Sequence, residues 1–125
     1  MAAALHAIRI KRAYEAPTAD DGYRVLVDRL WPRGLAKAKT KLNEWNKEIA
    51  PSPELRIWFG HEPARFAEFS RRYRSELARN RTGVAHLRTL RAKQTLTLIY
   101  AAKDPACNHA LVLQAFLQGK RTPMR

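Results

Sequence analysis

Two short apolar runs, about seventy positions apart, constrain this chain most. Val25-Leu26-Val27 lies inside Arg24–Arg29, and the second run is Thr95–Ala101. A strand with one wet face alternates between apolar and polar residues, whereas a strand covered on both faces reads as continuous apolar sequence. Both runs therefore predict central strands with protein on either side. Leu5–Lys11 predicts a strand of another kind. Ile8 and Ile10 point one way, Arg9 and Lys11 the other, as in a half-buried strand.

The intervening stretches read as turns and helices. Pro17–Gly22 is a turn cluster in which Gly22 can take positive φ. Ser52-Pro53-Glu54 starts a helix with a hydroxyl cap, a proline in the first turn and a carboxylate at the positive dipole end. Gly60 stops it, and Pro63 opens the next. Phe66, Phe69, Tyr73 and Leu77 then share one helical face. Val84, Leu87 and Leu90 mark a third helix of about two and a half turns. Asp104-Pro105 reads as the start of a final helix, with Asp104 as cap and Ala106, Ala110, Leu113 and Leu117 as its apolar stripe. Gly119 ends it. Gly34–Lys41 reads as a surface loop. The order predicts one small α/β domain over 1–125, with a largely parallel sheet of about three or four strands flanked by helices.

Composition narrows the classes. The chain has 125 residues, 24 Lys and Arg against 11 Asp and Glu, and a net charge of +13. Its single cysteine, Cys107, excludes an intramolecular disulfide framework and an all-cysteine zinc site. His6, His61, His86 and His109 show no i, i+4 pairing, so no metal and no cofactor are expected, and each reads as a surface or packing histidine. The longest apolar stretch lies within Leu98–Ala102, far below the ~20 residues of a membrane span. The first eleven residues lack the pattern of a signal peptide. A cytoplasmic protein, monomer or homodimer, with no membrane partner is the expectation.

In open parallel sheets ligands gather beyond the carboxyl ends of the strands. That rule selects Asp28–Gly34 and Tyr100–Asp104, the latter leading to Asn108 and His109. Should these loops adjoin, Arg29, Arg33 and Lys103 would face Asp28 and Asp104 in one cleft. Guanidinium groups bind phosphate or carboxylate bidentately, and a helix N-terminus adds free N–H groups. Asp28 is the candidate general base. The plainer alternatives are that Asp28 pairs with an arginine and that Asp104 only caps a helix. Cys107 reads as a small apolar residue near a helix start. Trp31, Trp45 and Trp58 read as core anchors. Arg65, Arg72 and Arg79 recur every seven residues, a stripe able to follow a phosphate backbone.

Three segments carry a family resemblance: GYRVLVDRLWPRG from Gly22 to Gly34, WNKEIAPSPELRIWFGHEP from Trp45 to Pro63, and TLIYAAKDPACNHALVL from Thr97 to Leu113. Together they resemble the DUF488 family, in its short YeaO-like branch. The resemblance implies a small bacterial α/β domain of uncharacterised function. It also implies motif roles for Arg24, Asp28, Arg29, Trp31, Arg33, Arg56, Tyr100, Lys103 and Asn108. Longer members carry a Cys-His-Arg segment near the last loop. Here Cys107-Asn108-His109 stands in its place, without the arginine.

Two functions follow as expectations. One is binding of a small phosphate- or carboxylate-bearing anion by Arg24, Arg29, Trp31, Arg33, Tyr100, Lys103, Asp104 and Asn108, with enzymatic action through Asp28 as its extension. The other is a basic nucleic-acid-binding or regulatory module acting through Arg65, Arg72 and Arg79.

Overall fold

A computed structural model describes residues 5–123. In chain order these form β1 (Ile8–Arg12), a 3-10 turn (Ala19–Asp21), β2 (Tyr23–Leu26), α1 (Lys37–Thr40), β3 (Glu44–Trp45), α2 (Pro53–Phe59), a 3-10 turn (Pro63–Arg65), α3 (Phe66–Arg79), α4 (Arg81–Lys93), β4 (Leu96–Tyr100) and α5 (His109–Leu117). The four strands make one sheet in the order β1-β4-β2-β3, and every pairing is parallel. The α/β class and the largely parallel sheet are as the apolar runs require.

The two central strands are β4 and β2, in register Val25 to Leu98 and Leu26 to Ile99. β4 is buried at all five positions. β2 is shorter than the predicted Arg24–Arg29. Val27 still donates to the Ile99 carbonyl at 2.9 Å, and the chain then leaves the sheet at Asp28.

The two faces are covered differently. Val25, Val27, Leu96, Leu98 and Tyr100 belong to one large core with Leu55 and Phe59 of α2, the Phe66, Phe69, Tyr73, Leu77 stripe of α3, Leu87 of α4 and Leu113 of α5. Leu26 and Ile99 point the other way, toward Ala13, Trp31, Leu35, Leu42 and Trp45. All four long helices therefore serve one face, and the segment from Trp31 to Trp45 seals the other. This corrects the reading of Gly34–Lys41 as a plain loop, because it carries the single-turn α1 and leads into β3.

A buried ion cluster completes the loop-covered face. Asp21 is fully buried and meets Arg24 Nη1 at 2.5 Å and Lys11 Nζ at 3.1 Å. Thr18 adds its backbone N–H at 3.0 Å and its hydroxyl at 2.9 Å. Burial raises the Asp21 pKa, but these donors and cations outweigh it and bring the carboxyl down to about 2. Gly22 follows at φ 62, where a Cβ would lie 2.3 Å from the Thr95 carbonyl oxygen.

The helix starts test the capping chemistry. Ser52 Oγ accepts the Leu55 N–H at 3.2 Å and donates to Glu76 at 2.6 Å, so the α2 cap also ties α2 to α3. Gly60 ends α2 at φ 52. At the last helix the prediction is corrected. Asp104 Oδ1 accepts the Ala106 N–H at 2.8 Å in a tight turn, and α5 starts four residues later than Pro105. Asn108 is the true cap, since Oδ1 accepts the Leu111 N–H at 2.9 Å and Nδ2 donates to the Asp104 carbonyl at 2.9 Å. Cys107 precedes the helix and packs half-buried against the core. Among the described residues no helix is long and apolar enough to cross a membrane.

Candidate functional site

Because β2 and β4 are neighbours and parallel, the loops that follow them leave from the same rim. Asp28 joins them directly. Its Oδ2 accepts the Ala101 N–H at 3.0 Å, and its backbone carbonyl accepts Trp45 Nε1–H at 2.7 Å. Above this junction opens a cleft of about 660 Å³, a volume in the range of small-molecule sites.

The cleft has a buried interior and a charged rim. Inside lie Phe59 and Phe69, with the backbone of Ala50 and Pro51. Asp28 and His109 reach it with side chains 14% and 15% exposed. Arg33, Arg56 and Lys103 stand exposed at the edge, and none of them makes an ion pair among the described residues. Arg29 is more tied down. Its Nε donates to the Pro51 carbonyl at 3.3 Å, Nη2 lies 3.4 Å from the Ala50 carbonyl, and Nη1 is 3.9 Å from Glu48. Trp31 donates Nε1–H to the Leu35 carbonyl at 2.7 Å and packs edge-on against Trp45, so its ring is a fixed wall.

His109 is the residue that sequence reasoning passed over. It is the first residue of α5. Its Nε2 lies 3.1 Å from the Val27 carbonyl oxygen and 3.0 Å from Asp28 Oδ1. The ring nitrogen is hydrogen-bonded to the Val27 carbonyl, while Asp28 Oδ1, closed off from solvent, lies beside the same nitrogen in ion-pair contact. Tyr73 packs edge-on to the imidazole at 6.4 Å. Burial first, then the nearby Glu76 and Asp28 charges, push its hydroxyl well above the usual tyrosine range, with Arg29 opposing them. Tyr73 is therefore a permanent donor, held on the Ile49 carbonyl at 2.6 Å. The usable signal for His109 was its place just beyond a strand-end loop, which the absence of a metal pattern obscured.

The other expected site residues divide. Asp28, Arg29, Trp31, Arg33, Lys103, Asp104 and Asn108 all line the cleft. Two do not. Arg24 points to the loop-covered face, where Asp21 and the Thr40 carbonyl occupy its guanidinium. Tyr100 is turned into the core at 3% exposure, where burial, with Glu15 next, raises its hydroxyl pKa. Asp104 and Asn108 contribute mainly by shaping the turn before α5. In the arginine stripe, Arg72 lies 4.3 Å over the Trp58 ring and pairs with Glu68 at 2.7 Å. Arg65 donates to the Trp58 carbonyl at 2.7 Å, and Arg79 to that of Ser75 at 3.3 Å.

The fold and cleft define a small parallel α/β domain with a cation-edged recess at the ends of its two central strands. The chain belongs to the DUF488 family, as a YeaO-like member. Residues 7–123 match the family model described as the inactive DUF488-N3 subclade. Uncharacterized protein YeaO of Escherichia coli is 48% identical over 111 residues, covering 89% of this chain and 96% of its own length. Uncharacterized protein Mb3100c of Mycobacterium bovis is 43% identical over 113 residues, covering 90% and 95%. Uncharacterized protein Rv3073c of Mycobacterium tuberculosis matches to the same extent. No solved structure matches this chain.

Proposed function

We propose that the cleft binds a small phosphate- or carboxylate-bearing molecule. One observation carries this reading: Arg33, Arg56 and Lys103 stand around one recess with no acidic partner among the described residues. Cations left unpaired beside a low-dielectric recess concentrate anions there. The description of the matched subclade as inactive supports binding without turnover, with Asp28 serving as a fixed acceptor rather than a base. The nucleic-acid alternative has the +13 charge in its favour, but Arg65 and Arg72 are already laid against Trp58.

Thermal unfolding with inorganic phosphate and phenyl phosphate tests the reading. A ligand at a hundredfold excess over Kd stabilises by roughly 2.7 kcal/mol. The double variant Arg33→Ala, Lys103→Ala should lose most of that shift while unfolding at nearly the same temperature without ligand. No shift in the wild type, or an equal shift in the double variant, overturns the proposal. Should DNA retention instead fall steeply with salt and vanish when Arg65, Arg72 and Arg79 are changed together, the basic-module reading replaces it.

A further inference from the structure

Charge is distributed unevenly along the chain. The 11 acidic residues lie between Glu15 and Asp104, and the stretch from Leu77 to Lys103 contains none of them. α4 falls wholly inside that stretch. It carries Arg81, Arg88, Arg91 and Lys93 without a carboxylate, and the residues after α5 add Lys120 and Arg121, again without one. The two groups adjoin, because the Arg88 guanidinium donates to the Phe116 and Leu117 carbonyls at the end of α5, at 3.1 and 3.4 Å. Arg81, Arg88, Lys93, Lys120 and Arg121 are exposed, and among the described residues none of the five is in an ion pair. The side chains of Arg81, Lys93, Lys120 and Arg121 make no hydrogen bond there either. Glu44 meets α4 at His86, 2.8 Å away, and pairs with none of these cations.

The outward face of α4 also has little bulk. At 3.6 residues per turn, Arg81 and Arg88 border one side of it and Lys93 the other. Between them lie Thr82, Ala85, Thr89 and Ala92, all exposed. A helix with its side chains is about 10–12 Å across, and the major groove of duplex DNA is about 12 Å wide. Small residues down the middle let the backbone approach, and cations along both borders meet the phosphates on either side. No large apolar side chain is exposed on α4, whereas a helix lying on lipid grips it with Trp, Phe or Leu.

We propose that the outer face of α4, extended by Lys120 and Arg121, binds double-stranded DNA through its phosphates. This surface is separate from the cleft, and it differs from the α3 stripe, where Arg65 and Arg72 are spent on Trp58. Phosphate contacts hold a protein on the duplex without reading its sequence.

Fluorescence anisotropy with a short labelled DNA duplex, titrated at several salt concentrations, tests this on the wild type and on the triple variant Arg81→Gln, Lys93→Gln, Lys120→Gln. Each phosphate contact adds about 0.9 to the log–log salt slope. Three lost contacts make wild-type affinity fall about fortyfold more steeply than that of the variant between about 50 and 200 mM salt. Loss of measurable binding by the variant supports the proposal equally. The three side chains hold no internal contact, so the variant should unfold at the wild-type temperature and keep any thermal shift with phenyl phosphate. No binding of the duplex by the wild type at about 50 mM salt, or an equal slope in the variant, overturns the proposal and leaves the cleft reading untouched. So does loss of binding confined to the Arg65, Arg72, Arg79 variant. Tighter binding to phosphatidylserine vesicles than to the duplex, lost in the same α4 variant, replaces DNA with a lipid surface and overturns it too.

Discussion

Replacing Asp21 by asparagine probes the ion cluster that closes the loop-covered face. Asp21 and Arg24 are both buried, so removing the negative charge leaves a guanidinium in the interior with neutral acceptors only, the Thr40 carbonyl and the new amide oxygen. Breaking such a pair from one side costs about 3–5 kcal/mol at neutral pH. Part of that cost depends on pH in a defined direction. The carboxyl falls from 3.8 to about 2 on folding. A depressed folded pKa contributes stability above the unfolded value and loses it as pH falls toward the folded one. At about 1.4 kcal/mol per pKa unit the contribution is roughly 2 kcal/mol at pH 7. Urea unfolding of wild type and Asp21→Asn, from pH 7 down to pH 2, reads it directly. Other carboxylates titrate alike in both proteins, so the gap between them isolates Asp21. The gap should shrink by about 2 kcal/mol by pH 2, with roughly half of that gone by pH 3. A gap that stays constant across the range refutes the argument that the charged form of Asp21 is what the cluster stabilises.

Two further substitutions follow from local geometry. Gly22→Ala puts a Cβ 2.3 Å from the Thr95 carbonyl oxygen at a φ of 62, and should cost roughly 2 kcal/mol or more by denaturant midpoint; an unchanged midpoint would show that the turn simply shifts. Tyr73→Phe strips the donor from the buried Ile49 carbonyl and should cost about 1–3 kcal/mol at pH 7. Above pH 10 the wild type also loses stability, because tyrosine ionises in the unfolded chain while Tyr73 stays neutral in the fold, and the Phe variant should lose less over the same range.

How far the sequence could be read depended on how many residues each element offers as a pattern. β4 is five buried residues in a row and α3 buries five positions on one face, so the continuous run and the helical spacing each identify their element. β3 has two residues and α1 four, too few for any period to show. The Asp104-Pro105 pair had the right cap chemistry but lost to Asn108, which bonds both the Asp104 carbonyl before it and the Leu111 N–H after it. No one-dimensional rule ranks two competent caps four residues apart. At the cleft, the parallel-sheet rule selected the two loops that flank the recess, and most of the chosen residues line it. Arg24 misled because the direction of a side chain from a doubly covered strand depends on register, and both faces of β2 are dry. His109 was missed because its partner, Asp28, is eighty-one positions away and the contact exists only after the sheet forms.

The placement of β4 between β1 and β2 also bears on how the polypeptide reaches this state. β1 touches no other strand, and β2 finds only the two-residue β3 as an alternative neighbour. On a ribosome, the whole stretch from β1 through β4 must emerge before the ladder holding β1 can close. Until then β1 has no strand to pair with, and β2 has only the two-residue β3. The rate at which the molecule matures is governed by long loop closures rather than by its helices, which puts it on the slow side for its size.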